Sequence, residues 1–253
     1  MQIKQVYFSP GVKFFEKGFY DKWNVVKYHS RHEPALFIGM YRDIDVKMIN
    51  RHKGFKALWN TGRIREQITR VNPKNVVIRI SPESIVDDNT RQYEKYYLTN
   101  FKYKHCNFPI KDFSKFIPTK IGNKIYCYLG NEKAKYIMGF EMAEKIKDKT
   151  GFEMICSMQG HTMDWIMGNY YNDCFVNLKA TIIPGYTTST ELAYMGRYTI
   201  SNSNGPFFKP YKTIDDILRL IDKESEKIGT IQKPLVADFF DTGEEWKNVN
   251  FWI

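Results

Sequence analysis

The segment PGYTTSTELAYMGRYTISN, residues 184–202, holds the densest set of groups suited to binding an anion. A turn at Gly185 leads into Thr188, Ser189 and Thr190, and Glu191 follows before the apolar positions of a short helix. The first turn of a helix presents unbonded backbone N–H groups and the positive end of the helix dipole, so hydroxyls gathered there make a seat for a diphosphate. Gly11, Gly39 and Gly130 each follow a run that reads as a strand. A missing side chain at such a place lets the backbone approach a phosphate or turn sharply, although a turn glycine with no ligand is the commoner case.

Acid–base chemistry has its candidates in the first half of the chain. Asp43, Asp45 and His29 lie near the ends of expected strands, within the region where a base would have to reach an acceptor hydroxyl. Asp43, which follows the Gly39 turn, leads this group; a helix cap is the simpler reading of the same residue. His29 and His32 stand three apart without further ligands beside them, which reads as surface histidine rather than a metal site. The four cysteines, Cys106, Cys127, Cys156 and Cys174, form no CxxC pair and no metal-ligand spacing. No metal is expected, and buried reduced thiols imply a reducing cytoplasm.

These residues need elements to position them. Strands are expected over 3–8, 24–28, 35–38, 55–59 and 76–80, with helices over 43–52, 62–71 and 82–97 between or after them. Residues 100–120 show no period and read as a connection between domains. A second alternation follows, with strands over 124–129, 153–157, 174–178 and 198–201 and helices over 136–149, 163–171, 188–195 and 214–228, the last opened by the capping box Thr213–Asp216. Strand–helix alternation with short connections predicts parallel sheets covered on both faces. The expected organisation is α/β, with two Rossmann-like domains, 1–115 and 116–231, facing a cleft, and an aromatic tail, 232–253, packing back on the first. The sequence shows no internal repeat. It also has no run of about 18 uncharged apolar residues and no signal-peptide pattern at its start.

The net charge of +10 is unevenly placed: residues 1–115 carry 22 Lys and Arg against 11 Asp and Glu, whereas 116–253 carry 16 against 17. A basic first domain suits a polyanionic partner, either double-stranded DNA or an anionic membrane surface. Phe14, Phe15, Phe19, Tyr20 and Trp23 interleave with Lys13, Lys17 and Lys22, a pattern that suits stacking on bases and equally suits a helix packing its apolar face.

The stretch DCFVNLKATIIPGYTTSTELAYMGRYTISN, 173–202, resembles the donor domain of the GT-B fold glycosyltransferases, as does IYCYLGNEKAKY at Gly130 and Asn131. ALFIGMYRDID, KALWNTGRI and VVIRIS look like the acceptor domain of small enzymes of this kind. The resemblance implies transfer of a sugar from a nucleotide-diphosphate donor, uridine-linked, with Glu191 on the ribose hydroxyls and the helix front on the diphosphate. It also implies a donor-base contact near Gln159, with His161 either beside it or serving as a turn residue. Retaining members carry a second glutamate where this chain has Ile183, and an aspartate often stands where this chain has Arg63. No permanently bound cofactor is implied, and Arg197 or a first-domain arginine would add charge near the leaving diphosphate. The expected acceptor is a hydroxymethyl-pyrimidine in DNA; the alternatives are a polysaccharide or glycolipid acceptor at a membrane, and a non-catalytic nucleotide-sugar or nucleic-acid binding module.

Overall fold

The computed structural model describes residues 1–60, 66–74, 76–80, 91–105, 113, 115–130, 132, 135–136, 138–158, 163–180, 186–201, 207–235 and 244–253. The chain divides into two compact units, unit 1 comprising Met1–Asp112 with Phe239–Ile253, and unit 2 comprising Phe113–Asp238.

Unit 1 is built on β1 (Gln5–Phe8), β2 (Val26–Lys27), β3 (Ala35–Ile38), β4 (Lys56–Asn60), β5 (Val76–Ile80) and β6 (Lys102–His105). Their order is β2-β1-β3-β4-β5-β6, and every neighbouring pair is parallel. Strand β3 is buried at all four positions, as a strand covered on both faces must be. Leu36 and Ile38 join the layer of α1 (Glu16–Trp23), where Phe19 and Trp23 pack on Trp246, Val249 and Trp252 of the carboxyl-terminal segment. Ala35 and Phe37 point the other way, into the layer of Val46 and Ile49 from α2 (Asp43–Arg51). The helix α3 (Arg91–Asn100) precedes β6. Strand β6 falls inside the stretch read from sequence as a connection; its KYKH pattern follows the lysine-bearing habit of edge strands, which hides the apolar signal.

Unit 2 repeats the plan with β7 (Lys124–Gly130), β8 (Met154–Met158), β9 (Cys174–Leu178), β10 (Thr199–Ile200) and β11 (Phe208–Lys209), in the order β11-β10-β9-β7-β8 and again parallel. Its helices are α4 (Phe140–Thr150), α5 (Met163–Ile166), α6 (Tyr186–Tyr194) and α7 (Ile214–Ser225). The capping box of α7 is present, with the Asp216 N–H donating to Thr213 Oγ1 at 3.1 Å. The helix expected over 163–171 is only four residues of α-helix, followed by a π-helical turn at Met167–Tyr171. Gly196, at φ 83, ends α6, and the Arg197 N–H closes back onto the Leu192 carbonyl at 2.8 Å.

Both units are therefore α/β, each a doubly wound parallel sheet consistent with a Rossmann-like domain. They share one strand order: the second strand lies on one side of the first and the third on the other. Sequence shows no repeat, because topology depends on where strands pair rather than on which apolar residues fill them. The order reverses between β1 and β3 in unit 1 and between β7 and β9 in unit 2. In open sheets of this kind, ligands bind beyond the carboxyl ends of those two strands.

Candidate functional site

In unit 1, the reversal point is built from the turn after β1 and the turn after β3. Asp45 joins them. Its carboxylate accepts from Tyr7 Oη at 2.8 Å, Ser9 Oγ at 2.7 Å, and the N–H groups of Tyr41 and Arg42 at 2.8 Å each. Asp45 has no exposed surface, and three of its four donors converge on Oδ2. It acts as the cap of α2 and the tie to β1, a role sequence reading had placed on Asp43. The same contact, together with burial, holds the Tyr7 hydroxyl well above the ordinary tyrosine range.

Gly11 and Gly39 serve this turn by making room for a ring. A Cβ on Gly11 would lie 2.9 Å from Tyr41 Cδ2, and one on Gly39 would lie 2.8 Å from Tyr41 Cε2. Gly39 also has φ 80, in the left-handed region. The space over both glycines belongs to the Tyr41 side chain.

The two remaining base candidates are exposed. Asp43 sits in the first turn of α2 and pairs with Arg70 Nη2 at 2.7 Å, and the Arg70 hydrogen bond keeps its carboxyl below the usual range, so it is ionised and a weak base. His29 follows edge strand β2, with Nδ1 3.2 Å from the Lys27 carbonyl and Nε2 4.0 Å from Glu33. Its backbone N–H is held by the buried Gln5 side chain at 2.9 Å. His29 and Asp43 are open to solvent and Asp45 is enclosed; the Gln5 bond holds His29 level with the start of β1, whereas Asp45 is tied to Ser9 beyond its end.

In unit 2, β7 ends at Gly130, which has φ 76 and lies at an irregularity in the pairing with β8. The chain from β9 reaches the same edge before entering α6. Asn131, Gln159, His161 and Gly185 lie outside the described residues, as do Ile183 and Arg63. The helix front itself is more enclosed than its hydroxyl content suggests. Thr188 is half-buried, and Ser189, Thr190 and Glu191 are buried. Ser189 Oγ accepts from Asn177 Nδ2 of β9 at 3.3 Å, so it points to the sheet. Thr190 Oγ1 is buried without a hydrogen-bond partner.

Glu191 is 1% exposed and accepts a hydrogen bond from Tyr171 Oη, which the π-helical turn delivers. The Tyr126 hydroxyl pairs with Ser157 Oγ of β8, and the Tyr126 ring meets the Tyr171 ring edge-on, 5.2 Å between centroids. Burial pushes the hydroxyls of Tyr126 and Tyr171 far above the ordinary tyrosine range, so both are protonated donors. Sequence reading missed this group because tyrosines inside an apolar run look like core filler.

No known family model matches the chain, and no curated protein matches its sequence.

Arg197 is buried at the other end of unit 2. Its guanidinium donates to the carbonyls of Cys174 (2.8 Å), Met195 (2.7 Å) and Lys120 (3.1 Å) and to Thr119 Oγ1 (2.9 Å). Cys174 opens β9 and Lys120 precedes β7, so these partners mark the amino-terminal edge of the sheet, opposite Gly130 and the first turn of α6. A guanidinium so engaged braces the sheet; it does not meet an anion at the carboxyl edge. Among the described residues, no group of three or more His, Cys, Asp or Glu is placed to hold a metal ion. No helix among them is long and apolar enough to cross a membrane.

Proposed function

We propose that the chain is a glycosyltransferase of GT-B architecture. It moves a sugar from a uridine-linked diphosphate donor to an acceptor hydroxyl. The observation supporting this reading is the reversal of strand order between β7 and β9, which brings Gly130 and the carboxyl end of β9 to the same edge of unit 2. Half-buried Thr188 and the first N–H groups of α6 stand where a diphosphate would be held. In the reaction the bond between the sugar carbon and the diphosphate oxygen breaks as the acceptor oxygen bonds to that carbon. The acceptor proton passes to a base, and diphosphate charge grows at the helix front. Asp43, exposed in the first turn of α2, is the group available as base.

Unit 1 supports a polyanionic acceptor, hydroxymethyl-pyrimidine DNA. It carries 22 Lys and Arg against 14 Asp and Glu, a net of +8, whereas unit 2 carries 16 against 14, a net of +2. Its aromatics now separate into two kinds. Phe19 and Trp23 are core, and Tyr20 donates to the Val6 carbonyl at 2.9 Å. Phe14, 76% exposed on the 3-10 turn Lys13–Phe15 after β1, stands with exposed Lys13 and Lys17 beside it. That arrangement suits phosphate contacts around one stacking ring.

Hydrogen exchange of the full chain with and without uridine diphosphate tests the placement. The reading predicts protection of α6 and of the residues after Gly130; protection confined to unit 1 contradicts it. Duplex binding at rising salt tests the partner: a steep loss of affinity without binding to anionic vesicles fits DNA, and vesicle binding alone contradicts it.

A further inference from the structure

The group around Tyr171 has a definite direction. Tyr171 Oη donates its single proton to the Glu191 carboxyl group. The Tyr126 hydroxyl pairs with Ser157 Oγ. The Tyr126 and Tyr171 rings meet edge-on, 5.2 Å between centroids at 88°. These contacts span β8, β7, the π-helical turn and α6. A π-helical turn is a costly, rare local form that recurs at functional sites, and here it is what brings Tyr171 to Glu191.

We infer that Tyr171 is a positioning residue for the donor site, and that Glu191, in the second turn of α6, supports that helix from beneath instead of gripping a ribose. This rests on the donor reading above. A carboxylate that is 1% exposed and already accepting from Tyr171 has no face toward a sugar hydroxyl. Recognition of the nucleotide then runs through the diphosphate, and the ribose 2′-hydroxyl contributes little.

The test is calorimetric titration of the full chain with uridine diphosphate, 2′-deoxyuridine diphosphate and inorganic pyrophosphate, with melting temperatures recorded alongside. The wild-type chain binds the two nucleotides within about twofold of each other, a comparison that needs no variant. Tyr171→Phe and Glu191→Gln each weaken all three ligands by roughly tenfold, and the double variant is no weaker than either single one, because both act through one bond. A tenfold or greater preference for the ribo form that disappears in Glu191→Gln overturns the inference and puts Glu191 on the sugar. Unchanged affinities in Tyr171→Phe with a lowered melting temperature also overturn it, leaving the chain of hydroxyls a packing device. Failure of the wild-type chain to bind any of the three ligands overturns the donor reading itself.

Discussion

The Asp45 carboxylate accepts the Ser9 hydroxyl at 2.7 Å, fastening the start of α2 to the turn that leaves β1. Two neighbouring backbone N–H groups and the Tyr7 hydroxyl complete its contacts, and no water reaches it. Replacing Asp45 by Ala leaves four donors, the buried Ser9 hydroxyl among them, without their acceptor. The expected loss of stability is about 3 kcal/mol, read from urea unfolding followed by tryptophan fluorescence. A loss below about 0.5 kcal/mol would show that the four contacts are dispensable.

The glycines of the same turn divide by environment. Gly39→Ala meets Tyr41, Val12 and Ser9 at 2.8, 3.0 and 3.1 Å and must hold φ 80, so it destabilises by about 1–3 kcal/mol. Gly18, inside α1, has open space where a Cβ would go, so Gly18→Ala stabilises by about 0.5–1 kcal/mol. Thermal midpoints that shift in opposite directions meet this expectation; equal shifts contradict it.

Much of this frame is legible in the residues. ALFI and CFVNL read as buried strands and are β3 and β9, and the Thr213–Asp216 box marks the start of α7. What escapes is whatever depends on partners distant in sequence. Asp43 and Asp45 look alike as cap candidates, and only the position of Ser9 and Tyr7 makes Asp45 the tie. Thr188, Ser189, Thr190 and Glu191 read as an exposed polar cluster, yet Asn177 and Tyr171, from β9 and the π-helical turn, draw most of it inward. Arg197 reads as a free cation beside a loop; its carbonyl partners come from segments before β7 and β9, which no local pattern announces. The two-residue strands β10 and β11 are too short for alternation to register fully.

Arg197→Met removes the donors to four backbone carbonyls and to Thr119. Unit 2 should lose about 3 kcal/mol or more, while the salt dependence of duplex binding stays unchanged because the lost charge was never at the surface. A shallower salt slope with intact stability would put Arg197 on a polyanion instead.

His52 gives unit 1 a pH response. Its Nε2 faces the Phe55 carbonyl and its Nδ1 the Tyr28 hydroxyl, each at 3.2 Å, an arrangement that fits the neutral ring with its proton on Nε2. Burial lowers its pKa below 6.5, and Lys56 and His32 act in the same direction. The unfolded chain therefore binds the proton more readily, and stability falls as pH drops below about 6.5 toward the folded pKa. His52→Gln should be less stable at pH 7 but show a flatter profile below about pH 6.5; an unchanged slope would assign the response to another group.

The central claim is sugar transfer from a nucleotide donor, and a mass-spectrometric assay crossing several nucleotide sugars with plain DNA, hydroxymethyl-pyrimidine DNA and lipid acceptors tests it most directly. The account predicts the mass of one sugar added to the hydroxymethylated DNA, from a uridine-linked donor. Product on lipid alone would contradict the acceptor, and no product from any donor would contradict the transferase.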